Sequence, residues 1–394
     1  MTAGGDVPAR GELRVAVAGF GWMGQVHSRS YARLLHHFPA TPLRPRLVAV
    51  ADPEPDRRQL ATAAYGFERA EAEWTAVVDG PDIDAVSVCG PNFLHRDIAV
   101  AAAAAGKHLW VEKPAGRGLA DTLEIAAAVA AGGVRSAVGF NYRNAPAVEL
   151  AREMIASGSI GTVETANVRL LSDYAAHPDG ALSWRFDPLR AGTGVLGDLA
   201  SHAIDLVQYV LGAGGRIREV SCDAATFIAE RPEPVGAVSH FSRATGAALG
   251  PVGNEDYVGA LLHFESGARG LLESSRVAVG EQCTYGFEVR GREGAVAWDF
   301  RRMGELRLCQ GEGYQDAPWQ TRFVGAGSGE LAAFQPGAGV AMGYDDLKVI
   351  EAERFVRSIA EGGAIGATIE DAVTSARVIE ALTRSHAERR WVTV

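Results

Sequence analysis

Short apolar runs alternate with helical patterns along the first third of the chain. The apolar runs predict strands at Leu13–Ala18, Arg46–Ala51, Ile83–Cys89, His108–Val111 and Ser136–Phe140. Helices are predicted from the first glycine-rich turn to about Leu35, and at Pro55–Tyr65, Phe93–Ala105 and Leu119–Ala131. Strands that alternate with helices indicate βαβ units and a parallel sheet covered on both faces. We place this doubly wound domain at residues 12–140, after a tail at residues 1–11 that we expect to be disordered.

The pattern changes beyond Gly161. Strands are predicted at Val163–Leu171, Glu219–Ile228, Asp256–Phe264, Ala268–Val277, Tyr285–Arg290 and Ala295–Phe300. Short turns between several of them indicate a mostly antiparallel sheet. Helices are predicted at Pro146–Ser157, Gly197–Leu211, Asp345–Ile359 and Ile369–Ser385. Residues 231–254 and 311–339 have no periodic pattern and are predicted to be long loops. Residues 141–394 are therefore predicted to form a second α/β domain.

The bulk properties of the 394 residues exclude several classes of protein. Apolar residues make up 47% and charged residues 22%, as in ordinary globular proteins. The net charge of −10 argues against a nucleic-acid partner, although backbone amides can still bind an anionic cofactor. No apolar run is long enough for a membrane helix. Cys89, Cys222, Cys283 and Cys309 form no CxxC pair, so we expect no metal site, no disulfide framework and a cytoplasmic location.

A glycine motif lies between the first predicted strand and the first predicted helix. Gly19, Gly21 and Gly24, with Trp22 and Met23 between the last two, form the pattern GxGxxG. The first glycine allows a tight turn, the second lets the backbone approach a pyrophosphate, and the third lets helix and strand pack closely. The N-terminus of the helix then faces the phosphates. This context predicts dinucleotide binding.

Asp52 ends the second predicted strand, 28 residues after Gly24. A carboxylate at this place accepts hydrogen bonds from the adenosine ribose hydroxyls and repels a 2′-phosphate, which favours NAD over NADP. Asp52 is also suited to cap the helix that follows it. Arg57 and Arg58 lie close enough in the sequence to keep NADP open.

Two further segments follow predicted strands. Pro91, Asn92 and His95 come after Ile83–Cys89, and Glu112 and Lys113 come after His108–Val111. Ligands of a doubly wound sheet bind beyond the carboxyl ends of its strands. We therefore predict that these residues bind the cofactor. The alternative for Glu112 and Lys113 is a solvated pair of charges in a loop.

Together these segments resemble the Gfo/Idh/MocA family of oxidoreductases. The resemblance rests on Gly19–Gly24, Pro91-Asn92 with His95, Glu112-Lys113-Pro114, and Gly197-Asp198-Leu199-Ala200-Ser201-His202. Phe140–Arg143, Ser183–Phe186, Gly192–His202 and Gly343-Tyr344 are most similar to the levoglucosan dehydrogenase-like members, with the inositol dehydrogenases as wider relatives. The resemblance implies a Rossmann domain followed by an α/β domain with a large open sheet. In relatives this sheet often forms the interface of a homodimer or homotetramer.

Asp198, His202 and Asp205 are spaced i, i+4 and i+7, so they share one face of a predicted helix. A lone histidine in such a helix is more often a core residue, but the family resemblance implies functional roles for Asp198 and His202. Asp205 is expected to be structural. We assign His202 as general acid/base and Asp198 as the residue that orients it. Lys113 is expected to donate to the reacting oxygen and to stabilise alkoxide charge.

Sugar pockets combine an aromatic face with polar groups that reach hydroxyls. We therefore predict that substrate binding also involves Tyr142, Arg143, Trp184, Arg185 and Tyr344, with a core role as the alternative for Trp184. The predicted activity is hydride transfer between NAD and a secondary alcohol of a cyclic sugar or polyol, in either direction. Two alternatives are glycoside hydrolysis through transient oxidation and a non-catalytic dinucleotide sensor.

Overall fold

A computed structural model describes residues 11–234, 236, 242–244, 248–311 and 313–394. The tail predicted at residues 1–11 lies outside this part of the chain except for Gly11, which begins the first strand rather than ending a tail. Among the helices of the described residues, none has both the length and the apolar character needed to cross a membrane.

The first part of the chain forms a six-stranded parallel sheet. Its strands are β1 (Gly11–Ala18), β2 (Leu43–Ala51), β3 (Arg69–Glu71), β4 (Ala85–Val88), β5 (His108–Val111) and β6 (Ser136–Val138). The helices are α1 (Trp22–His37), α2 (Pro55–Tyr65), α3 (Thr75–Val78), α4 (Asn92–Ala104) and α5 (Leu119–Gly132). The strand order is β3-β2-β1-β4-β5-β6, so β1 and β4 are neighbours at the centre of the sheet. The order of the strands reverses between these two, and a doubly wound sheet binds its ligand at such a point.

The second part is built on a nine-stranded sheet of order β16-β15-β14-β13-β7-β12-β11-β8-β17. Only the pair of β7 and β12 is parallel. The elements are α6 (Pro146–Ala156), β7 (Val163–Leu171), α7 (Pro188–Ala191), α8 (Ser201–Leu211), β8 (Ile217–Ala225), β9 (Glu230–Pro232), β10 (Leu249–Pro251), β11 (Tyr257–Phe264), β12 (Arg269–Ser275), β13 (Thr284–Gly291), β14 (Gly294–Asp299), β15 (Glu305–Gln310), β16 (Gln320–Phe323), α9 (Leu331–Phe334), α10 (Tyr344–Glu361), α11 (Ile369–Glu388) and β17 (Val392–Thr393). The predicted fold class, a parallel Rossmann sheet plus a large and mostly antiparallel sheet, is confirmed.

The two segments predicted as long loops contain short elements. Strands β9 and β10 pair with each other within residues 231–254, of which 235, 237–241 and 245–247 lie outside the described residues. Strand β16 and helix α9 lie within residues 311–339, so that loop is interrupted. A strand of three or four residues holds too few apolar positions to show a period in the sequence.

Helix α10 packs on the first sheet, although it lies far along the chain. Its Phe355 and Val356 share a core cluster with Leu13 and Val15 of β1. The opposite face of that sheet packs on α4 and α5 through residues such as Ile98. Helix α10 therefore completes the cover of the first sheet, and its N-terminus lies where the two parts of the chain meet.

The nine-stranded sheet has one covered face and one open face. Helices α6, α8 and α11 contribute to the cluster that covers the first face. Along β12 the residues alternate between the two faces, so that Leu272 is buried and Leu271 is exposed. Leu271 and Leu261 of the neighbouring strand β11 are 52% and 49% exposed.

Candidate active site

The glycine motif forms a tight turn between β1 and α1. Gly19 has φ of 92°, and a Cβ there would lie 2.6 Å from the amide nitrogen of Gly90. A Cβ at Gly24 would lie 2.0 Å from the carbonyl oxygen of Gly19. By contrast, a Cβ at Gly21 would meet no atom within 4 Å. The turn is therefore closed towards the protein at Gly19 and Gly24 and open to a ligand at Gly21.

The start of α1 suits a phosphate group. Gly21 is the N-cap of α1, and it has no side chain that could accept a hydrogen bond from the first backbone amides of the helix. The first backbone N–H groups of a helix need an acceptor, which a pyrophosphate supplies. The open space at Gly21 and the uncapped helix start together fit a dinucleotide.

Asp52 joins the end of β2 to the glycine turn. Its Oδ2 accepts a hydrogen bond of 2.7 Å from the Phe20 amide, and its Oδ1 accepts one of 3.0 Å from the Glu54 amide. Nη1 of Arg57 lies 3.4 Å from Oδ2, and Arg58 donates to the carbonyl oxygens of Asp52 and Pro53. Asp52 thus joins the glycine turn to the residue that precedes α2, and Glu54 rather than Asp52 is the N-cap of that helix. Both arginines lie beside Asp52.

His95 connects the loops that follow β4 and β5. Its two ring nitrogens lie 2.7 Å from the Gly90 carbonyl oxygen and 2.9 Å from the Pro114 carbonyl oxygen. The residue is only 1% exposed, and burial lowers its pKa. Both ring nitrogens thus have partners within the protein, so the structure replaces the predicted cofactor contact of the side chain by a role in positioning the loops. Asn92, one turn earlier in α4, donates from its side chain to the Ala191 carbonyl oxygen, while Pro91 is the N-cap of α4.

Glu112 also points into the protein. Its Oε1 lies 2.6 Å from Nζ of Lys348 and 2.9 Å from Nε2 of His27. Burial raises the pKa of Glu112, but the Lys348 ammonium and the His27 ring outweigh that effect and hold the pKa well below its usual value. The predicted cofactor contact of Glu112 is therefore replaced by a buried ion pair.

Lys113 points the other way, into the second part of the protein. Its Nζ donates to the Asp198 carbonyl oxygen at 2.6 Å and lies 3.3 Å from Oδ1 of Asp198. The other carboxylate oxygen accepts a hydrogen bond from the Tyr174 hydroxyl. The structure thus brings together Lys113 and Asp198, which are 85 positions apart in the sequence. Tyr174 was not identified from the sequence, because nothing in its loop indicates the direction of its side chain.

The segment that carries Asp198 is a π-helical turn at Leu196–Ala200, which continues into α8. Oε1 of Glu255 accepts hydrogen bonds from the amides of Gly194 and Leu196, at 2.8 and 3.0 Å. The predicted helix at Gly197–Leu211 is therefore regular only from Ser201. Turns of the π type are rare and are frequently found at functional sites.

His202 lies in the first turn of α8 beneath an aromatic cluster. Its ring centroid is 4.7 Å from that of Tyr142 and 6.0 Å from that of Phe140. Burial lowers the pKa of His202 well below its usual value, and the Lys113 ammonium lowers it further. The imidazole is therefore neutral at neutral pH, which is the form that accepts a proton.

Arg143 is not brought to this set. Its guanidinium donates to both carboxylate oxygens of Asp205 and to Asp371, and it lies over the ring of Tyr209. These carboxylates engage Nε and Nη2 of the guanidinium. The structure therefore replaces the predicted substrate contact of Arg143 by an ion pair, and this pair agrees with the structural role expected for Asp205.

An aromatic wall lies next to His202. Tyr142 packs edge-on against Tyr285 and Phe300 at centroid distances of 5.5 and 5.1 Å, and Tyr344 lies 6.5 Å from Tyr142. Tyr344 also stacks on Trp22 of the glycine turn, at 5.2 Å. The hydroxyl of Tyr344 lies 3.7 Å from Sδ of Met23. The wall thus joins the cofactor turn to the second domain.

Trp184 and Arg185 lie beside the loop that follows β4. The Arg185 guanidinium is 4.5 Å from the ring centroid of Trp184, which packs edge-on against Phe93 of α4 at 6.2 Å. Both residues are half-buried. Trp184 therefore contacts the first domain next to Asn92 and is not part of a core cluster.

Comparison with known proteins gives the family. A profile of the NAD-binding Rossmann fold of the GFO/IDH/MocA oxidoreductases matches residues 13–140, and the C-terminal domain profile of that family matches residues 148–297. A levoglucosan dehydrogenase from Pseudarthrobacter phenanthrenivorans is 34% identical over 97% of this chain and 98% of the relative. The chain belongs to the Gfo/Idh/MocA family.

Solved structures of other Gfo/Idh/MocA members are similar over nearly the full length. A levoglucosan dehydrogenase in complex with NADH and levoglucosan has a TM-score of 0.90 and 34% identity, and 97% of this chain and 99% of that one are covered. An inositol dehydrogenase homologue from Azotobacter vinelandii, in complex with NADH and myo-inositol, has a TM-score of 0.79 and 26% identity, with 98% of each chain covered. These matches confirm the predictions of family, of fold class and of NAD as the cofactor.

The arrangement supplies the parts that a dehydrogenase of the Gfo/Idh/MocA family needs. NAD accepts or returns a hydride when it is bound at the glycine turn. On the protein side, His202 presents a buried imidazole whose pKa is lowered, and Asp198 holds the side-chain amine of Lys113. A hydroxyl placed between these groups has a proton acceptor on one side and a positive charge on the other.

Proposed function

We propose that the protein oxidises a secondary hydroxyl of a cyclic sugar or polyol with NAD, and catalyses the reverse reduction, with His202 as the general acid/base. The observation that carries this proposal is the convergence of a buried neutral imidazole, the Lys113 ammonium and the Asp198 carboxylate beside an aromatic wall. The prediction of NAD-dependent sugar or polyol oxidoreduction is confirmed at the level of the family, since relatives over the full length are levoglucosan and inositol dehydrogenases.

The side chains divide the chemistry between them. His202 would take the proton from the hydroxyl oxygen, while the carbon that bears this oxygen would give its hydride to NAD, and His202 would return a proton in the reverse direction. Lys113 stabilises the charge that develops on the oxygen. Asp198 holds the Lys113 ammonium and is itself held by Tyr174, so the cation is fixed before substrate enters.

The aromatic wall favours a ring-shaped substrate. Tyr142, Phe300 and Tyr344 offer flat apolar faces to C–H groups, while Asp198 and Tyr174 offer polar atoms to neighbouring hydroxyls. We propose Trp184 and Arg185 as further contacts at the mouth of the site. The known complexes of relatives with levoglucosan and myo-inositol support a cyclic compound of this size.

A substrate screen tests the proposal. Purified protein is incubated with NAD and levoglucosan, inositol isomers, glucose or amino sugars, and NADH formation is followed by its absorbance. We expect turnover with at least one cyclic polyol or sugar. Turnover of linear alcohols alone would contradict the proposal. Phenol release from aryl glycosides without net NADH formation would instead indicate glycoside hydrolysis through transient oxidation.

Two variants test the assigned roles. His202→Ala and Lys113→Ala are each expected to lower kcat by about 10²- to 10⁴-fold, because each removes a group that acts in the transition state. The Kd for NADH is expected to stay close to the wild-type value. His36→Ala, which changes an exposed histidine of α1, is the control. Wild-type turnover in both active-site variants would refute the scheme.

We further propose that the open face of the nine-stranded sheet forms the interface of a homodimer or homotetramer in the cytoplasm. Leu261 and Leu271 lie side by side on this face and are half exposed in the single chain. Burial of adjacent leucines between two sheets is favourable. The cysteines Cys89, Cys222, Cys283 and Cys309 are all free thiols, as suits a reducing compartment.

A further inference from the structure

A cluster of charged side chains lies buried behind the active site. Nζ of Lys348 is 2.6 Å from Oε1 of Glu112 and 2.9 Å from Oε1 of Glu351. His27 bonds to the same oxygen of Glu112, and Nε1 of Trp110 donates to Glu351 at 2.6 Å. The Lys348 side chain is completely buried. A single ammonium group thus pairs with two buried carboxyl groups. Removing these charged groups from water costs free energy, so a functional reason for the cluster is worth seeking.

The cluster connects three parts of the protein. His27 lies in α1, Glu112 directly follows β5, and Lys348 and Glu351 lie in α10. Tyr344, Lys348 and Glu351 are spaced i, i+4 and i+7, so they share one face of α10. Tyr344 begins that face at the aromatic wall. The remainder of the face reaches the loop that carries Lys113.

Glu112 and Lys113 are neighbours whose side chains point to opposite sides. Glu112 points into the first domain towards Lys348, and Lys113 points into the second domain towards Asp198. The two residues share one peptide unit, so fixing the Glu112 side chain restricts the backbone that carries Lys113. The backbone amide of Glu112 donates to Val88, which continues the sheet to this point.

We propose that Lys348 is a positioning residue: by binding the Glu112 carboxylate from α10, it holds Lys113 in place on Asp198. This inference rests on the proposed role of Lys113 in the reaction. Burial and the nearby Glu112 charge raise the pKa of Glu351 to about 7, while burial lowers the pKa of His27 to about 4. At neutral pH the neutral His27 adds no charge, so Lys348 is the cation that keeps Glu112 ionised.

The test compares Lys348→Met with a matched loss of another buried lysine. Lys107 is also buried in the first domain, where its Nζ donates to the carbonyl oxygens of Gly80 and Ile83. Lys348→Met is expected to lower kcat by about 100-fold, because displacement of a catalytic group by about 1 Å costs that much. The KM of the substrate is expected to change far less, since ground-state binding does not depend on the exact position of Lys113. Lys107→Met is expected to lose thermal stability and to keep the wild-type kcat.

A double variant separates the charge effect from lost packing and remains informative if Lys348→Met fails to fold. Glu112→Gln combined with Lys348→Met removes the Glu112 carboxylate together with its cation, while Glu351, with a pKa raised to about 7, keeps the hydrogen bond from Nε1 of Trp110. We expect its kcat to lie about 10-fold below wild type and about 10-fold above Lys348→Met, with rates normalised to the concentration of NADH-binding sites. Wild-type kcat in this double variant would overturn the inference.

The same set of variants distinguishes the inference from the function on which it rests. Wild-type turnover in Lys113→Ala would remove the proposed role of Lys113, and the inference with it. A large loss of kcat in Lys113→Ala, together with a kcat in Lys348→Met equal to that of Lys107→Met, would overturn the inference alone. A large loss in both Lys113→Ala and Lys348→Met, with kcat kept in Lys107→Met, supports both.

Discussion

His202 is a buried imidazole that borders an ammonium group, and both conditions favour its neutral form. It is 7% exposed, and its neighbours on the open side are aromatic rings. Burial disfavours the imidazolium because the charge loses its hydration, and Lys113 disfavours it through repulsion. The local environment therefore keeps the proposed base unprotonated over the physiological pH range.

The influence of Lys113 on His202 can be measured directly. Lys113→Met is expected to raise the pKa of His202, because the repulsion that disfavours the imidazolium is lost. His202 is neutral at pH values above its pKa. With a raised pKa, the variant would become protonated at a higher pH than the wild type. NMR titration of histidine-labelled protein would show the midpoint at higher pH. Lys107→Met is the control, and an unchanged or lower midpoint in Lys113→Met would contradict this account.

Asp52 is expected to decide between the two nicotinamide cofactors. Asp52→Asn removes the charge that repels a 2′-phosphate and leaves Arg57 and Arg58 in place, so we expect the ratio of kcat/KM for NADP to that for NAD to rise by about 10-fold or more. The amide oxygen can still accept one of the two backbone hydrogen bonds, which preserves the turn. Asp56→Asn, at an exposed position of α2, is the control. A ratio that stays the same would show that Asp52 only joins the glycine turn to the start of α2.

The elements differ in how clearly the sequence specifies them. Strand β5 and helix α2 were predicted with the bounds that the structure shows, because β5 is an apolar run between the charged Lys107 and Glu112, and α2 begins at Pro55 and is followed by Gly66. Strand β3 was missed, since its three residues pair with only part of β2. The π-helical turn before α8 was also missed, because it depends on Glu255, which binds two amides of that turn from a distant part of the chain.

Two glycines of the turn between β1 and α1 are expected to have different roles, one in stability and the other in NAD binding. Gly24→Ala is expected to lower the free energy of unfolding by about 1 to 3 kcal/mol, because its Cβ would overlap the carbonyl oxygen of Gly19. Gly21→Ala is expected to leave stability nearly unchanged, since no atom lies within 4 Å of its Cβ, but to weaken NAD binding because the methyl group fills the open space. Thermal unfolding and NADH fluorescence titration measure the two effects. Equal NAD affinity in Gly21→Ala and wild type would contradict the placement of the cofactor.

At the scale of the whole molecule, α10 connects the two parts of the chain, and the large sheet presents one face that the helices do not cover. Helix α10 crosses from the second part of the chain to cover the first sheet, and one of its faces runs from the aromatic wall to the buried Glu112. The large sheet packs three helices on one face and leaves the other face open. The proposed active site thus lies where the two parts of the chain meet, and the open sheet face is the one that we propose as the subunit interface.

The open face leads to a prediction on assembly. Leu261→Glu combined with Leu271→Glu is expected to shift the protein to monomer, because four carboxylates would face each other across a symmetric dimer interface. Light scattering coupled to size-exclusion chromatography measures the mass. Leu189→Glu, at a leucine that is 81% exposed in α7, is the control and should leave the mass unchanged. A wild-type protein that is already monomeric would contradict the proposed interface.

The sequence by itself determined the class of fold, the dinucleotide turn and the residue types of the catalytic set. These features are local: a buried parallel strand is a continuous apolar run, and the turn needs glycine at fixed spacings. The sequence analysis assigned Asp198 to orient His202, which stays a prediction, and the contact of Asp198 with Lys113 was not predicted. The individual roles of these residues still await the experiments described above.

Only the tertiary structure decided where each polar side chain points. Glu112 and Lys113 are adjacent and both charged, yet one faces a buried lysine of α10 and the other faces Asp198. His95 and Arg143 were predicted to bind ligands and instead bind the protein itself. No role was predicted for Tyr174 or Glu255, because their hydrogen-bond partners come from other parts of the chain. Side-chain direction depends on which elements pack together, and that long-range arrangement leaves no local pattern in the sequence.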